Sequence, residues 1–169
     1  MGKKKSKIAP IDFQFGIGQV VPSTQMAFKE DSFGAKVRRE EKESLRIFKQ
    51  STGSMLDEEL KGYDQFPSDG EIFIFIVQYF ASEKEYQRRD IDNISKTILD
   101  VLKGHFYHDD SQVKTLLVGK KQNAKISQDF AYVAIKELKS DKDVDALQIS
   151  GVERSVTLFQ ELRSKGLLK

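Results

Sequence analysis

The chain has no cysteine and no tryptophan. Without thiols there can be no disulfide, no thiolate zinc site and no cysteine nucleophile. Histidine is scarce as well: His105 and His108 are the only two, too few for a histidine-rich metal centre. Long apolar runs are missing. The longest, residues 72–77, falls far short of the roughly 20 residues a membrane-spanning helix needs. The basic opening M-G-K-K-K-S-K is followed by no apolar segment, so it does not read as a secretory signal. A soluble, cytoplasmic protein with no membrane partner is the expectation.

What is present suits one domain. The 169 residues are 38% apolar and 32% charged, enough for a real core under a heavily solvated surface. The net charge of +2 hides an uneven distribution. Lys3, Lys4, Lys5 and Lys7 form a basic arm, and Arg88 and Arg89 stand directly before Asp90 and Asp92. Lys114, Lys120, Lys121 and Lys125 fall in a stretch without a single acid. Such clusters suit a polyanion, although solvated helix faces look much the same.

Ile11, Phe13, Phe15 and Ile17 alternate with Asp12, Gln14 and Gly16, the period of a strand with one buried face. The segment V-V-P-S-T-Q then turns the chain. Residues 35–50 predict an amphipathic helix with Val37, Leu45 and Phe48 on its stripe, stopped at residues 51–53. Residues 54–70 read as a loop with one helical turn. The continuous apolar stretch E-I-F-I-F-I-V-Q-Y-F predicts a central strand over residues 71–80, covered on both faces. A helix follows over residues 93–103, with Asp92 or Asn93 as its cap and Gly104 as its stop. Residues 113–119 and 130–138 predict two more strands, and the polar K-K-Q-N-A-K-I-S between them suggests a hairpin. A last amphipathic helix is expected over residues 152–163. The fold class that follows is α+β: a mixed sheet of about four strands with helices packed against it.

The stretch richest in chemistry is R-R-D-I-D-N-I-S-K-T-I-L-D-V-L-K-G-H-F-Y-H-D-D-S-Q-V. Asp90 and Asp92 lie two apart where strand gives way to helix, and Lys96 follows Asp92 by one helical turn. Asp109 and Asp110 stand at the mouth of the next strand. Should these carboxylates converge, they form an oxygen-only site for a hard cation such as Mg²⁺ or Mn²⁺. Lys96 would then add positive charge at a scissile phosphate. The plain alternative is equally explicit. Asp92 and Asn93 would be cap residues, Asp109 and Asp110 turn residues, and Lys96 a solvated partner of Asp100. His105 and His108 read as surface-loop residues, and Phe106 and Tyr107 as core plugs. The residues alone leave both accounts open.

At this point the sequence resembles the RusA-type Holliday-junction resolvases. The resemblance rests on R-D-I-D-N-I-S-K-T-I-L-D-V-L, then F-Y-H-D-D-S-Q-V, then a basic K-K at the end of the strand. It implies a Mg²⁺-dependent endonuclease, with Mn²⁺ as the substitute metal, that nicks four-way DNA junctions in recombination and repair. It implies Asp90, Asp92 and Asp110 as metal-binding and catalytic carboxylates and Lys96 as the catalytic lysine. Arg88, Arg89, Lys120 and Lys121 are expected to position DNA. A homodimer is implied too, since two symmetric nicks need two sites related by a two-fold axis. The expected layout is a basic arm over residues 1–10, a RusA-like nuclease domain over 11–139 and a helical extension over 140–169. The segment V-P-S-T-Q only loosely matches the P-P-S-x-N segment common in the family. Rival expectations are a junction-binding protein that does not cut and a nuclease for flaps or forks.

Overall fold

A computed structural model of the chain describes residues 11–23, 29–30, 36–37 and 43–139. The expected basic arm and C-terminal helix lie outside these residues. Strand β1 (Phe13–Ile17) buries Phe13, Phe15 and Ile17 and exposes the residues between them, as the alternation requires. Two short strands, β2 (Lys29–Glu30) and β3 (Lys36–Val37), pair with each other. Helix α1 spans Glu43–Glu59, and β4 spans Glu71–Phe80. Helices α2 (Glu83–Arg88) and α3 (Ile91–Leu102) follow, then a single 3₁₀ turn at Asp110–Gln112. Strands β5 (Val113–Gln122) and β6 (Phe130–Leu138) complete the described fold.

The four-stranded sheet has the order β1-β6-β4-β5. β4 runs parallel to β5 and antiparallel to β6, while β1 is antiparallel to β6. The α+β class and the interior position of β4 are as expected. Ile72, Ile74, Ile76 and Phe80 of β4 are fully buried in one cluster with Phe48 and Leu56 of α1 and Ile94, Ile98 and Leu102 of α3. Burying each such side chain contributes about 1.5–3 kcal/mol. Phe106 and Tyr107 are fully buried in the same cluster.

Three expectations about the elements are corrected. First, α1 begins later and runs through residues 51–53 to Glu59. Its stripe of Leu45, Phe48, Thr52 and Leu56 continues across Gly53, and the His105 ring lies 3.6 Å from where a Cβ on that glycine would stand. Tertiary packing therefore overrides the stop signal. Second, β5 and β6 do not form a hairpin; they flank β4 on opposite sides. An apolar central strand needs a partner at each edge, and the connecting residues cross over the end of β4. Asn123 N–H donates to the Phe80 carbonyl at 2.9 Å, and Ala81 N–H to the Asp129 carboxylate at 2.8 Å. Third, α3 starts at Ile91, and Asp90, rather than Asp92 or Asn93, stands at the cap position. Gly104, at φ 87°, ends it as expected, in the left-handed region that glycine alone enters without strain. Among the described residues no helix is long and apolar enough to cross a membrane.

Candidate active site

Helices α2 and α3 meet at a two-residue joint. Arg89 (φ −106°, ψ 128°) and Asp90 (φ −91°, ψ 140°) are both extended, so α3 restarts in a new direction. A cap aspartate ordinarily accepts a hydrogen bond from the first turn of its helix. Asp90 makes no such bond; only its carbonyl is engaged, by Ile94 N–H at 3.3 Å. Asp92, in the first turn of α3, is exposed, and Ser95 Oγ donates to its carbonyl, not its carboxylate. Among the described residues neither carboxylate takes part in a hydrogen bond or ion pair. Both stand at the N-terminal end of α3, where the helix dipole presents its positive pole.

Lys96 is exposed one turn beyond Asp92 and is likewise uncommitted among the described residues. The expected alternative partner, Asp100, is taken by Lys49 of α1 at 3.1 Å. Arg88 and Arg89 share Glu85: Arg89 donates to it through Nε and Nη2 at 3.3 Å each, and Arg88 Nη1 lies 3.8 Å from it. Arg88 remains exposed at the surface, whereas Arg89 is half-buried.

Opposite the joint lies a segment that sequence reading took for a simple turn. Val21, Ser23, Arg88, Arg89 and Asp90 line a cleft of about 110 Å³. The near wall is tied down twice. Val21 N–H donates to Gln78 Oε1 at 3.0 Å, and Thr97 Oγ1 donates to the Pro22 carbonyl at 2.7 Å. Gln78 is fully buried in β4. A polar residue inside E-I-F-I-F-I-V-Q-Y-F was the signal, because a buried amide must find partners.

Lys120, expected on DNA, is used inside the protein. Its ammonium donates to the carbonyls of Tyr86 and Arg89 at 2.8 Å each and sits 4.6 Å from the centre of the Tyr86 ring. Lys121 is exposed and uncommitted among the described residues.

The other acidic pair sits at the far end of α3. Asp109 caps the 3₁₀ turn: its carboxylate accepts from Ser111 N–H at 3.0 Å and from the Ser111 hydroxyl. The Gln112 side chain answers by accepting from Asp109 N–H at 2.9 Å, completing a capping box. The Ser111 hydroxyl first, then the Ser111 amide and Lys103, hold the Asp109 carboxyl down at about 2. Asp110 is exposed, with Lys103 Nζ at 3.6 Å. Burial, followed by the charges of Asp110 and Asp100, pushes the Tyr107 phenol far above its usual range, and its hydroxyl donates to the Leu99 carbonyl at 2.9 Å.

The three expected metal ligands are therefore not gathered within one chain. Helix α3 has 12 residues between Asp90 and Lys103. At about 1.5 Å per residue that separates its ends by about 18 Å. Strand β5 does return along α3, but it brings Lys120 back to the Arg89–Asp90 joint and leaves Asp110 at its other end. Among the described residues no three acidic or histidine side chains are grouped so as to hold a metal ion. The histidines have structural partners: His105 Nδ1 contacts the Val101 carbonyl at 2.8 Å and Nε2 the Asp57 carboxylate at 3.1 Å. His108 Nε2 lies 3.3 Å from Asp69.

Paired acids with open oxygens, a lysine one turn on and two arginines thus stand together around the start of α3. Comparison sharpens this. The family model described as endodeoxyribonuclease RusA matches residues 18–135. The chain belongs to the RusA endodeoxyribonuclease family, and membership implies a junction-resolving endonuclease. A search of curated proteins returns no match.

Proposed function

We propose that this protein is a homodimeric, Mg²⁺-dependent endonuclease that resolves four-way DNA junctions by symmetric nicks, with Mn²⁺ able to replace Mg²⁺. The observation that carries this reading is the pair Asp90 and Asp92, whose carboxylates lie open at the start of α3 within the family-matched residues. Two carboxylates form an incomplete, oxygen-only donor set suited to a hard cation. In one chain Asp110 is too distant to join them, so each complete site takes Asp90 and Asp92 from one copy and Asp110 from a second copy. A bound cation would supply positive charge at a phosphate oxygen. Lys96, on the same helix face as Asp92, supplies a mobile cation to the phosphate undergoing cleavage. Arg88, Arg89 and Lys121 hold the neighbouring phosphates.

Mixing two inactive variants tests the reading. Asp92→Asn and Asp110→Asn are each expected to bind a mobile four-way junction and fail to nick it in Mg²⁺. Mixed and allowed to exchange subunits, they regain nicking, because each mixed dimer holds one site with all three aspartates intact. Strand-by-strand end labels should show single, unpaired nicks, where the wild type gives symmetric pairs. No recovery on mixing would sink the shared site. A wild type that binds junctions without cutting in Mg²⁺ or Mn²⁺ would sink the nuclease.

A further inference from the structure

No described residue holds the carboxylate of Asp90, so its direction depends on the backbone that carries it. That backbone is short of support. Helix α2 has only 6 residues, too few for a helix to persist unaided. Its last carbonyls have no partner within the helix, and Tyr86 and Arg89 supply two of the groups at that end. Lys120 satisfies both at 2.8 Å while packing over the Tyr86 ring. The Arg89 carbonyl and the Asp90 amide belong to one peptide plane. Fixing that oxygen fixes the plane from which Asp90 departs.

Lys120 has a counterpart across the sheet. In the parallel register of β4 and β5 it pairs with Gln78, the fully buried residue that grips Val21. The two face the helix layer on the same rung, beyond the apolar rungs of Ile74 with Leu116 and Ile76 with Val118. One rung of polar residues thus holds both walls of the cleft beside Asp90: Gln78 the Val21 side, Lys120 the Arg89 side.

We propose that Lys120 is a positioning residue for the acidic site, fixing the Arg89–Asp90 peptide from the end of β5. It is not a DNA contact. The proposal rests on the role given to Asp90 above. An ammonium with two of its three N–H groups on carbonyls, and a ring beneath it, has little left for a phosphate. The surface lysine of the pair is Lys121. Partners that orient a ligating carboxylate typically matter about tenfold to a hundredfold in activity or metal affinity when removed.

The test compares Lys120→Met, Lys120→Arg and Lys121→Ala with the wild type on a four-way junction. Lys120→Met, which keeps the stem over Tyr86, should lower the single-turnover nicking rate about tenfold to a hundredfold and raise the Mg²⁺ concentration for half-maximal rate. Its junction affinity in EDTA and the slope of that affinity against salt should match the wild type. Lys121→Ala should instead weaken binding and reduce the salt slope by about 1. Lys120→Arg, which retains charge and donors, should recover part of the rate. Amide exchange reads the tether without any activity: Asp90, Ile91 and the end of α2 should exchange faster in Lys120→Met. A Lys120→Met protein with the Lys121→Ala pattern, or with wild-type exchange at the joint, overturns the proposal. If the wild type itself does not nick, the nuclease reading fails, and the exchange result still decides whether Lys120 holds the joint.

Discussion

At the start of α3, Asp90 and Asp92 commit none of their carboxylate oxygens to the described fold. Past its end, Asp109 commits both, one to Ser111 and the other to Lys103 Nζ at 3.4 Å. The residue type is the same and the settings are alike, a joint next to a helix in each case. The difference is what surrounds them. At the first joint the backbone is held from outside, by Lys120 and by the Gln78 grip on Val21, so the acids are spared. At the second, the acid and Gln112 hold the turn themselves. A carboxylate exposed at a cap position but left out of capping forgoes stability that the site was free to take. Such a residue is a better candidate for chemistry than one woven into a turn, and Asp110, beside Asp109, shares Lys103 with it but not the Ser111 bonds.

Substitutions at the two joints should then separate activity from stability. The largest effect is expected from Asp92→Asn: nicking should fall by a factor on the order of 10³, the scale of losing a group that acts on the reacting phosphate. Its melting temperature should stay within a few degrees of wild type, since no described bond is broken. A melt that collapses instead would return Asp92 to a structural role. At the other joint the pattern reverses. Gln112 accepts from the amides of His108 and Asp109 and donates to the carbonyls of Ser68 and Gly70 at 2.7 and 2.9 Å. Gln112→Ala should cost about 2–4 kcal/mol in urea unfolding, as several net hydrogen bonds of about 1 kcal/mol each are lost. A smaller loss is expected from Gly104→Ala, about 1 kcal/mol, because its φ of 87° lies in the left-handed region.

The elements that could be read from the sequence are those whose signal is local. The alternation of β1, the apolar run of β4 and the periodicity and glycine stop of α3 each report a burial pattern that the chain carries within itself. What could not be read is pairing between distant segments. Nothing in residues 113–138 says that β4 must lie between the strands on either side of the connecting loop. The extra length of α1 depends on packing against α3 and His105. The same limit governs the site. The D-x-D pair and Lys96 are close in sequence and sit together on the start of α3, whereas Asp110 is parted from them by the length of that helix. The contacts of Lys120 could not be read either, because a lysine beside another lysine looks the same whether it faces solvent or two carbonyls.

The smallest prediction bears on Lys96, whose role depends on its being unclaimed by the fold. A lysine four residues before an aspartate on a helix invites pairing, and Lys96 with Asp100 has that spacing. Asp100 instead meets Lys49 across the α1–α3 contact at 3.1 Å, with side chains 30% and 42% exposed. An ion pair that open to water should couple by about 0.5 kcal/mol. In double-mutant cycles on unfolding free energy, Lys49→Met with Asp100→Asn should show that coupling. Lys96→Met with Asp100→Asn should show none, and the loss of Lys96 alone should leave the melt unmoved while nicking falls. If the second cycle carries the coupling and the first does not, Lys96 is a surface partner of its own helix. The first joint of α3 would then offer two open acids without Lys96 to work beside them. If the coupling sits with Lys49, the pairing between α1 and α3 is what leaves Lys96 available at the acidic end of α3.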